Sequence, residues 1–417
     1  MRLRAFTSPA LRTLRVLGVL LVAFLALSVE LFAPSSATAV PPAPTGVSVV
    51  PAEGRATVSW KAPASEVPIL RYRINASRGA RIVETTVAGT VTSTVIPGLV
   101  SGWRYRFRVW AESADRAGIK STITPGILIP GAGAGGGDVN VAVQCTRTTS
   151  ATESVSAALE ATEPGETLCL RGGVYRQGLT ISRSGTAAAR IIVASTPGEV
   201  AIVDGSDLTL DSTESVVTAA GNHVTLANVE VRNSSGRGVT LSGDATRISG
   251  SRVHDVQYNG VLAGGRDQSI DNNEVWNTVL SNVDGQMGDS GWAEAVNTWQ
   301  ASNTTIRDNY IHDNWGEGID FINSNGGSAQ YNRVVDNFSV LIYVDGSSNI
   351  SVEGNDLTTT TTKYHRSSAP YGVLIASEGG GKVANISVTG NRLSQTSGID
   401  TWNVDPANLV ISDNVGA

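Results

Sequence analysis

The chain has 417 residues, which is long for one domain and sufficient for two. Charged residues make up only 16% of it and its net charge is −6, so it lacks the basic stripe that a nucleic-acid-binding protein needs. Glycine is abundant, and Ser, Thr and Asn are frequent in the second half, a composition typical of short strands joined by turns. We therefore predict an all-β protein.

Residues 1–39 have the features of a signal peptide. An apolar segment, 16–32, follows a basic start and precedes small residues at Ala37 and Ala39, which predict cleavage before Val40. The sequence thus predicts a secreted, extracellular protein that has no membrane segment after cleavage. A retained membrane anchor is the alternative. The basic start consists of Arg2, Arg4, Arg12 and Arg15.

The two cysteines, Cys145 and Cys169, are expected to form a disulfide in an exported chain. Closing a loop of that length contributes about 3 kcal/mol by the chain-entropy estimate. A pair of reduced, buried thiols is the alternative.

Residues 41–130 contain short runs in which apolar and polar residues alternate, as in "RATVSWK" and "RYRFRVWAE". Alternation at period two, interrupted by turn residues, predicts an antiparallel sandwich. Trp60, Tyr72, Leu99 and Tyr105, with the stretch "GLVSGWRYRFRVWA", resemble a fibronectin type III domain, in which Tyr105 would form the tyrosine corner. The resemblance implies a spacer or adhesion module. Residues 131–138, "GAGAGGGD", predict a flexible linker.

The remainder, 139–417, repeats a short phrase at intervals near 23 residues, with two longer steps that contain about 13 inserted residues. Each repeat contains short segments in which apolar and polar residues alternate. These segments are too short for paired helices, which favours a parallel β-helix with one coil per repeat. The asparagines can then form a ladder along one turn of the coils. The recurring position is assigned to Asn228, Ser251, Asn273, Asn309, Asn332, Asn355, Asn391 and Asn414.

A cap helix is predicted before the first coil. Ser150 and Glu153 have the spacing of a capping box, Val155 and Leu159 form an apolar stripe, and Pro164 ends the helix. The cap and the following "GETLCLRGGVY" resemble the start of secreted right-handed β-helix proteins of the pectin-lyase-like superfamily. That resemblance implies the fold and leaves the reaction open, because the superfamily contains lyases, hydrolases, epimerases and adhesins.

Aligning the coils by their first inward apolar residue places acidic residues on one outer wall. Glu294 and Glu317 align in adjacent coils, Asp320 lies beside them, and Asp345 lies one coil further on. The inward column is Val239, Val261, Val296, Ile319, Ile342, Val373 and Ile399, and the outward column beside it is Thr240, Leu262, Asn297, Asp320, Tyr343, Leu374 and Asp400.

Such a wall could act on a glycosidic bond. Carboxyls one coil apart cannot both ionise easily, and an acid with a raised pKa beside an ionised partner suits acid–base chemistry on sugars. The catalytic candidates are Glu317, Asp320 and Asp345. The substrate-binding candidates are Trp292, Trp299, Trp315, Asn297 and Tyr343. A solvated acidic face or a structural calcium site is the alternative interpretation.

Two insertions flank the wall, and long loops in a regular solenoid often carry binding or catalysis. The first supplies Asp284, Asp289 and Glu294 as oxygen ligands for Ca²⁺. The second supplies His365 as a binding candidate, and Lys363 or Arg366 as a base that removes the proton next to a uronate carboxylate. A basic exposed loop is the alternative for the second insertion.

Three functions remain open at this point, all with an extracellular polysaccharide as partner. We favour a polysaccharide lyase that acts on an acidic glycan by β-elimination. A glycoside hydrolase with paired carboxylates is the second. However, Ile322 occupies a position where the β-helix glycosidases would have an acid, and motifs of pectin hydrolases and alginate epimerases are absent from the sequence. The third is a polysaccharide-binding or cell-wall-associated protein without turnover.

Overall fold

The computed structural model describes residues 40–52, 54–78, 81–99, 104–114, 116–124, 127–129, 143–288, 293–365, 368–378 and 381–416. The predicted signal peptide and linker lie outside these ranges, so cleavage and secretion stay predictions. None of the helices in the described ranges is long and apolar enough to span a bilayer.

The first domain is a sandwich of two antiparallel sheets. Alternate residues point inward, and Trp60, Tyr72, Tyr105 and Phe107 pack in its core. The sandwich predicted from the alternation is thereby confirmed. Its strands are Thr45–Ala52, Arg55–Lys61 and Ser93–Pro97 in one sheet, and Arg71–Arg78, Arg81–Ala88, Arg104–Glu112 and Ile127–Leu128 in the other.

The second domain is a parallel β-helix built from three long sheets, named S1, S2 and S3 in the order in which a coil visits them. S1 comprises Arg147–Thr149, Thr167–Leu170, Ile191–Ser195, Val224–Ala227, Arg247–Ser249, Ser269–Asp271, Ser302–Arg307, Asn325–Gln330, Ser348–Glu353, Ile386–Thr389 and Leu409–Ser412. S2 comprises Gly173–Tyr175, Ala201–Asp204, Glu230–Ser234, Arg252–Val256, Glu274–Trp276, Tyr310–Asn314, Arg333–Asn337, Asp356–Thr358 and Arg392–Ser394. S3 comprises Leu179–Ile181, Ser215–Ala219, Arg237–Leu241, Val261–Ala263, Glu294–Trp299, Glu317–Ile322, Val340–Asp345, Tyr371–Ala376 and Ile399–Trp402.

Each coil contributes inward apolar side chains from all three sheets. In one coil these are Ile306 from S1, Ile311 from S2 and Ile319 from S3, each with no exposed surface. The equivalent strand of the next coil pairs in parallel about 4.8 Å away, so the core continues along the whole stack. The predicted fold class is confirmed.

The cap helix spans Val155–Glu160 and buries Val155 and Leu159 over the first coil. Its N-cap is Ser154, whose hydroxyl accepts from the Ala157 amide, so the predicted cap at Ser150 was wrong. Ser150 and Glu153 do bond to each other, but they close the turn that precedes the helix. Short 3₁₀ helices occur at Gly205–Asp207, Leu280–Gly285 and Pro406–Asn408.

The predicted disulfide is present. Cys145 and Cys169 are bonded, with their Cα atoms 5.5 Å apart. Cys169 lies in the strand Thr167–Leu170, whereas Cys145 precedes the cap strand Arg147–Thr149 that pairs with it. The bond therefore fastens the start of the domain to its first full coil.

The asparagine ladder runs along the turn between S1 and S2. Asn332 is representative: its Oδ1 accepts from both the backbone amide and the side-chain amide of Asn309, each at 3.0 Å. Its own Nδ2 donates to the Ile306 carbonyl and to Asn355 Oδ1. The ladder consists of Asn273, Asn309, Asn332, Asn355, Asn391 and Asn414, and Ser251 joins it through its backbone amide.

The assignment of Asn228 to this ladder was wrong by one residue. Asn228 has φ of 57°, and Val229 occupies the ladder position, where its amide donates to Ser251 Oγ. Each coil has a left-handed residue just before the ladder, for example Asp308 and Gly354. Asn, Asp and Gly tolerate that conformation, which explains the recurring "DN" and "GN" and why Asn228 resembled a ladder member.

Replacing Asn332 with alanine should lower the free energy of unfolding by about 2–4 kcal/mol, because it removes several buried hydrogen bonds and leaves their partners unsatisfied. Asn325→Ala is the matched control, since Asn325 bonds to Asn349 in an exposed row. We expect that control to cost less than about 1 kcal/mol. Urea unfolding followed by circular dichroism measures both, and equal losses would contradict the structural role of the ladder.

Candidate functional site

The candidate site is an outer wall of S3, and a backbone irregularity creates it. Strict alternation would turn Glu317 inward, since it is three residues before Asp320. Instead, Gly318 and Ile319 both face the core, where a Cβ added at Gly318 would lie 2.5 Å from Val334 Cγ1. These two consecutive inward residues interrupt the alternation while the pairing with the neighbouring strands stays in register, and they leave both Glu317 and Asp320 facing out.

The register of S3 brings the predicted acidic residues together. Glu294 pairs with Glu317, Asn297 with Asp320, Asp320 with Tyr343, and Ile322 with Asp345. The inward and outward columns pair as predicted over all seven coils. We use the name carboxyl wall for the outward residues Glu294, Asn297, Glu317, Asp320, Tyr343 and Asp345.

Glu294 is almost fully buried and is held by amides. Its Oε2 accepts from Asn259 Nδ2 at 2.8 Å and from Asn297 Nδ2. Burial raises the pKa of Glu294 to about 7, although the two amides and the charge of Arg237 act in the opposite direction. Glu294 can therefore change its protonation state near neutral pH.

Glu317 and Asp320 hydrogen bond to each other through their carboxyls. They are 6% and 2% exposed, so water cannot screen their charges. Burial, followed by the charges of neighbouring carboxylates, raises the pKa of both well above the usual range. These shifts favour a proton shared between the two carboxyls.

Tyr343 and Asp345 continue the wall on the next coil. Burial and the nearby carboxylates of Glu378 and Asp345 raise the pKa of the Tyr343 phenol, so it stays protonated. Asp345 is half-buried, and its Oδ1 accepts from the Glu378 amide at 2.9 Å. Burial also raises the pKa of Asp345, which makes its carboxylate a better proton acceptor.

The predicted tryptophans differ in exposure. Trp299 is 48% exposed on the wall side of S3, next to the carboxyls, and stays a candidate platform for a sugar ring. Trp315 is only 5% exposed and packs against Tyr364 with ring centroids 4.8 Å apart. It fills a small core beneath the insertions, with Val279 and Phe338, so its expected role in sugar stacking was wrong.

The second insertion places Lys363 away from the predicted role of base. Its ammonium donates to the Tyr364 hydroxyl and lies 5.5 Å from the centre of the Trp315 ring. The bond to Tyr364 raises the pKa of Lys363, so it stays charged and is a poor proton acceptor. His365 is half-buried in the same segment. Arg366, Trp292 and Asp289 lie outside the described residues.

The expected calcium site is not formed by the described part of the chain. Within it, no three His, Cys, Asp or Glu side chains are arranged to hold a metal ion. Asp284 lies in the 3₁₀ segment Leu280–Gly285, and Glu294 is engaged by amides. We therefore derive no step through calcium, and its binding stays a prediction.

Three members of the site were missed at the sequence level. Arg237 and Asn259 occupy the same column as Glu294, two residues before the aligned inward positions Val239 and Val261. Extending the column of Glu294 and Glu317 by two coils toward the N-terminus would have identified both residues. Glu378 comes from the loop after Tyr371–Ala376, and no repeat position marks it.

The raised pKa values predict a fall in stability as the pH increases. These carboxyls bind protons more tightly when folded, so their contribution is complete below pH about 4 and is lost as the pH rises through their folded pKa values. For Glu294 that value is about 7. We expect the melting temperature to fall between pH about 5 and about 8, and to fall less in Glu317→Gln. If the melting temperatures of wild type, Glu317→Gln and the control Asp400→Asn changed equally with pH, this prediction would be contradicted.

Comparisons with known proteins agree with the two-domain architecture. The family model described as "Pel9A-like, right handed beta helix region" matches residues 140–363, and the model for the fibronectin type III domain matches residues 42–126. A search of the curated proteins gave no match.

Solved structures resemble each domain separately. An alginate lyase from Paenibacillus sp. is 16% identical and covers 65% of this chain and 100% of its own, with a TM-score of 0.41. The FN5 domain of Drosophila Lar is 24% identical and covers 22% of this chain and 99% of its own, with a TM-score of 0.20. Titin domains A168–A170 are 23% identical and cover 22% of this chain, with a TM-score of 0.20. This chain spans only 32% of that titin structure.

The match to the β-helix model extends over more than half of the chain, and it supports a carbohydrate-active enzyme. The chain belongs to the Pel9A-like right-handed β-helix family, and it carries a fibronectin type III domain ahead of the β-helix.

Proposed function

We propose that this protein is a polysaccharide lyase that cleaves an acidic glycan on the carboxyl wall. The observation that carries the proposal is the register of S3, which places Glu294, Glu317 and Asp320 on adjacent coils with Tyr343 next in line. Burying three carboxyls costs stability, and groups retained at such a cost are concentrated at functional sites, which marks the wall as the candidate site.

The wall also has two buried acceptors that lack a partner in the described part of the protein. Asn297 Oδ1 and Asp320 Oδ1 have no hydrogen-bond partner among the described residues, and these two side chains lie side by side on paired strands. A small side-chain movement that exposes both oxygen atoms would let hydroxyl groups of a sugar ring donate to them. Trp299, exposed on the same coil as Asn297, offers an apolar surface for the ring face.

β-Elimination on a uronate requires three functions, and the wall offers a group for each. The proton shared by Glu317 and Asp320 hydrogen bonds to the substrate carboxylate and neutralises its charge. The Asp345 carboxylate removes the proton from the adjacent carbon, and the electron pair forms the double bond as the glycosidic C–O bond breaks. The leaving oxygen takes the Tyr343 proton, and Asp345 returns its proton to Tyr343 through water.

A glycan panel tests the reaction class. The intact protein is incubated with pectic, alginate and neutral plant glycans, each with and without EDTA. Unsaturated products that absorb in the ultraviolet support the lyase, and their loss with EDTA would support the predicted calcium. New reducing ends without that absorbance would instead support the hydrolase, and retention on a glycan column without cleavage would support a binding protein.

A further inference from the structure

A second cavity lies between the two domains, on a different sheet from the carboxyl wall. It encloses roughly 960 Å³ between the fibronectin type III domain and the outer face of S2. The fibronectin type III domain contributes Arg106, and S2 contributes Tyr310, Arg333, Asp356 and Arg392. We refer to this cavity as the interdomain cleft.

Two ion pairs hold the domains against each other at this cleft. Arg78 pairs with Asp308 at 3.4 Å and lies over the Tyr331 ring, with only 5% of the residue exposed. Arg106 pairs with Asp356. A buried arginine crossing a domain boundary is costly to separate from its partner, so the cleft has a defined shape.

The lining of the cleft carries five arginines and five carboxylates, but at one end three of the arginines lie around a single carboxylate. Arg333 pairs in register with Asp356, and Asp356 with Arg392, so one carboxylate lies between two arginines on S2. Arg106 approaches the same carboxylate from the other domain. Burial lowers the pKa of Arg106, and the charges of Arg333 and Arg392 lower it further. Three arginines thus surround one carboxylate, which pairs with Arg106.

Two of these arginines are available to a ligand. Arg333 and Arg392 form no ion pair within the described ranges, whereas Arg106 is engaged by Asp356. Arg333 lies over the Tyr310 ring, 4.4 Å from its centre, which fixes the guanidinium in place. A fixed guanidinium binds a carboxylate through two parallel hydrogen bonds.

The size and lining of the cleft define the class of ligand. Its volume lies within the range of about 300–1,000 Å³ that is usual for ligand sites, which is enough for a few sugar rings. The Tyr310 side chain supplies aromatic surface beside the arginines. A short oligosaccharide that carries carboxylates satisfies this combination.

We propose that the interdomain cleft is a second binding site for acidic oligosaccharide, in which Arg333 and Arg392 bind the carboxylates and the fibronectin type III domain forms one side. The inference rests on the proposed function only for the class of ligand, because the cleft and the carboxyl wall lie on different sheets. The first domain would then be part of a binding site rather than a spacer.

Isothermal titration calorimetry on the full chain tests this proposal. Asp320→Asn serves as the parent protein so that the ligand is not consumed, and the probes are tetragalacturonate, tetramannuronate and the neutral cellotetraose. Adding Arg333→Gln and Arg392→Gln should weaken binding of at least one acidic tetrasaccharide by tenfold or more, since two charge-assisted hydrogen-bonding groups are lost. The affinity for cellotetraose should not change.

The control is Arg266→Gln, which makes the same kind of substitution at one arginine outside the cleft, whose side chain is 72% exposed and pairs with Asp244. It should bind like the parent. The proposal is overturned if the double variant and this control bind the acidic probes equally. It is also overturned if the parent binds neither acidic probe, or if cellotetraose binding falls to the same extent. Melting temperatures verify that each variant is folded.

The two proposals can fail separately. If the double arginine variant is made in the wild-type background, it should still cleave a tetrasaccharide substrate at the wild-type kcat, because the carboxyl wall is intact. Binding in the cleft without any cleavage would refute the lyase and retain the cleft. If the protein cleaves the substrate and the double variant binds the acidic probes as the parent does, the lyase is retained and the cleft is refuted.

Discussion

Replacing Asp320 with asparagine is expected to reduce kcat/KM by about 10²–10⁴, the range for loss of a group that acts in proton transfer or charge neutralisation. The amide is the same size but cannot share a proton with Glu317, so the substrate carboxylate would keep its charge. The rate of appearance of unsaturated product measures the effect.

Asp400→Asn is the control for that experiment. Asp400 occupies the same outward column and receives the same substitution, but it lies three coils further along S3. Its activity should stay within about twofold of wild type. If Asp320→Asn and Asp400→Asn retained equal activity, the carboxyl wall would not be the site of the reaction.

The double variant Glu317→Gln with Asp320→Asn sharpens the same test. Because the two carboxyls hold one proton between them, removing either should already lose most of the effect, and the second loss should add little. Multiplicative losses would indicate that the two residues act independently.

Replacing Gly318 with alanine is expected to have the second large effect. The new Cβ would lie 2.5 Å from both the Leu341 carbonyl oxygen and Val334 Cγ1, so the strand must shift. We expect a loss of about 1–3 kcal/mol in the free energy of unfolding, together with lower activity, because Glu317 is displaced. Chemical denaturation and the glycan assay measure the two consequences.

Gly264→Ala provides the comparison. Gly264 is in the same domain, and a Cβ there would meet only the Trp299 carbonyl oxygen at 3.8 Å, an ordinary contact. This variant should fold and cleave like wild type. A Gly318→Ala protein as stable as Gly264→Ala would show that the inward turn of residue 318 does not depend on the missing side chain.

The fold could be predicted from the sequence because its determinants are repeated. A single turn that requires a left-handed residue followed by Asn recurs in successive coils, so the register of S3 followed from the spacing alone. The pairing of Glu294 with Glu317 and of Asn297 with Asp320 was predictable for the same reason. In a parallel stack, equal steps along the chain become neighbouring positions in space.

The remaining features depended on contacts that no repeat encodes. Trp315 resembled a sugar platform in the sequence, but the two insertions pack together and bury it against Tyr364. Lys363 resembled a base, but its neighbours Tyr364 and Trp315 keep it protonated. Both errors arise where long segments meet each other, and the conformation of such segments is set by tertiary packing rather than by period.

The inward pair Gly318 and Ile319 also bears on how this architecture can acquire new specificities. The inward pair fills the hydrophobic interior of its coil, and the residues on either side of it, Glu317 and Asp320, lie outside that interior. Each strand of S3 thus presents a few outward side chains that can be replaced while the β-helix backbone stays the same. Protein design could substitute these outward residues one coil at a time. Evolution could change specificity in the same way, without altering the core.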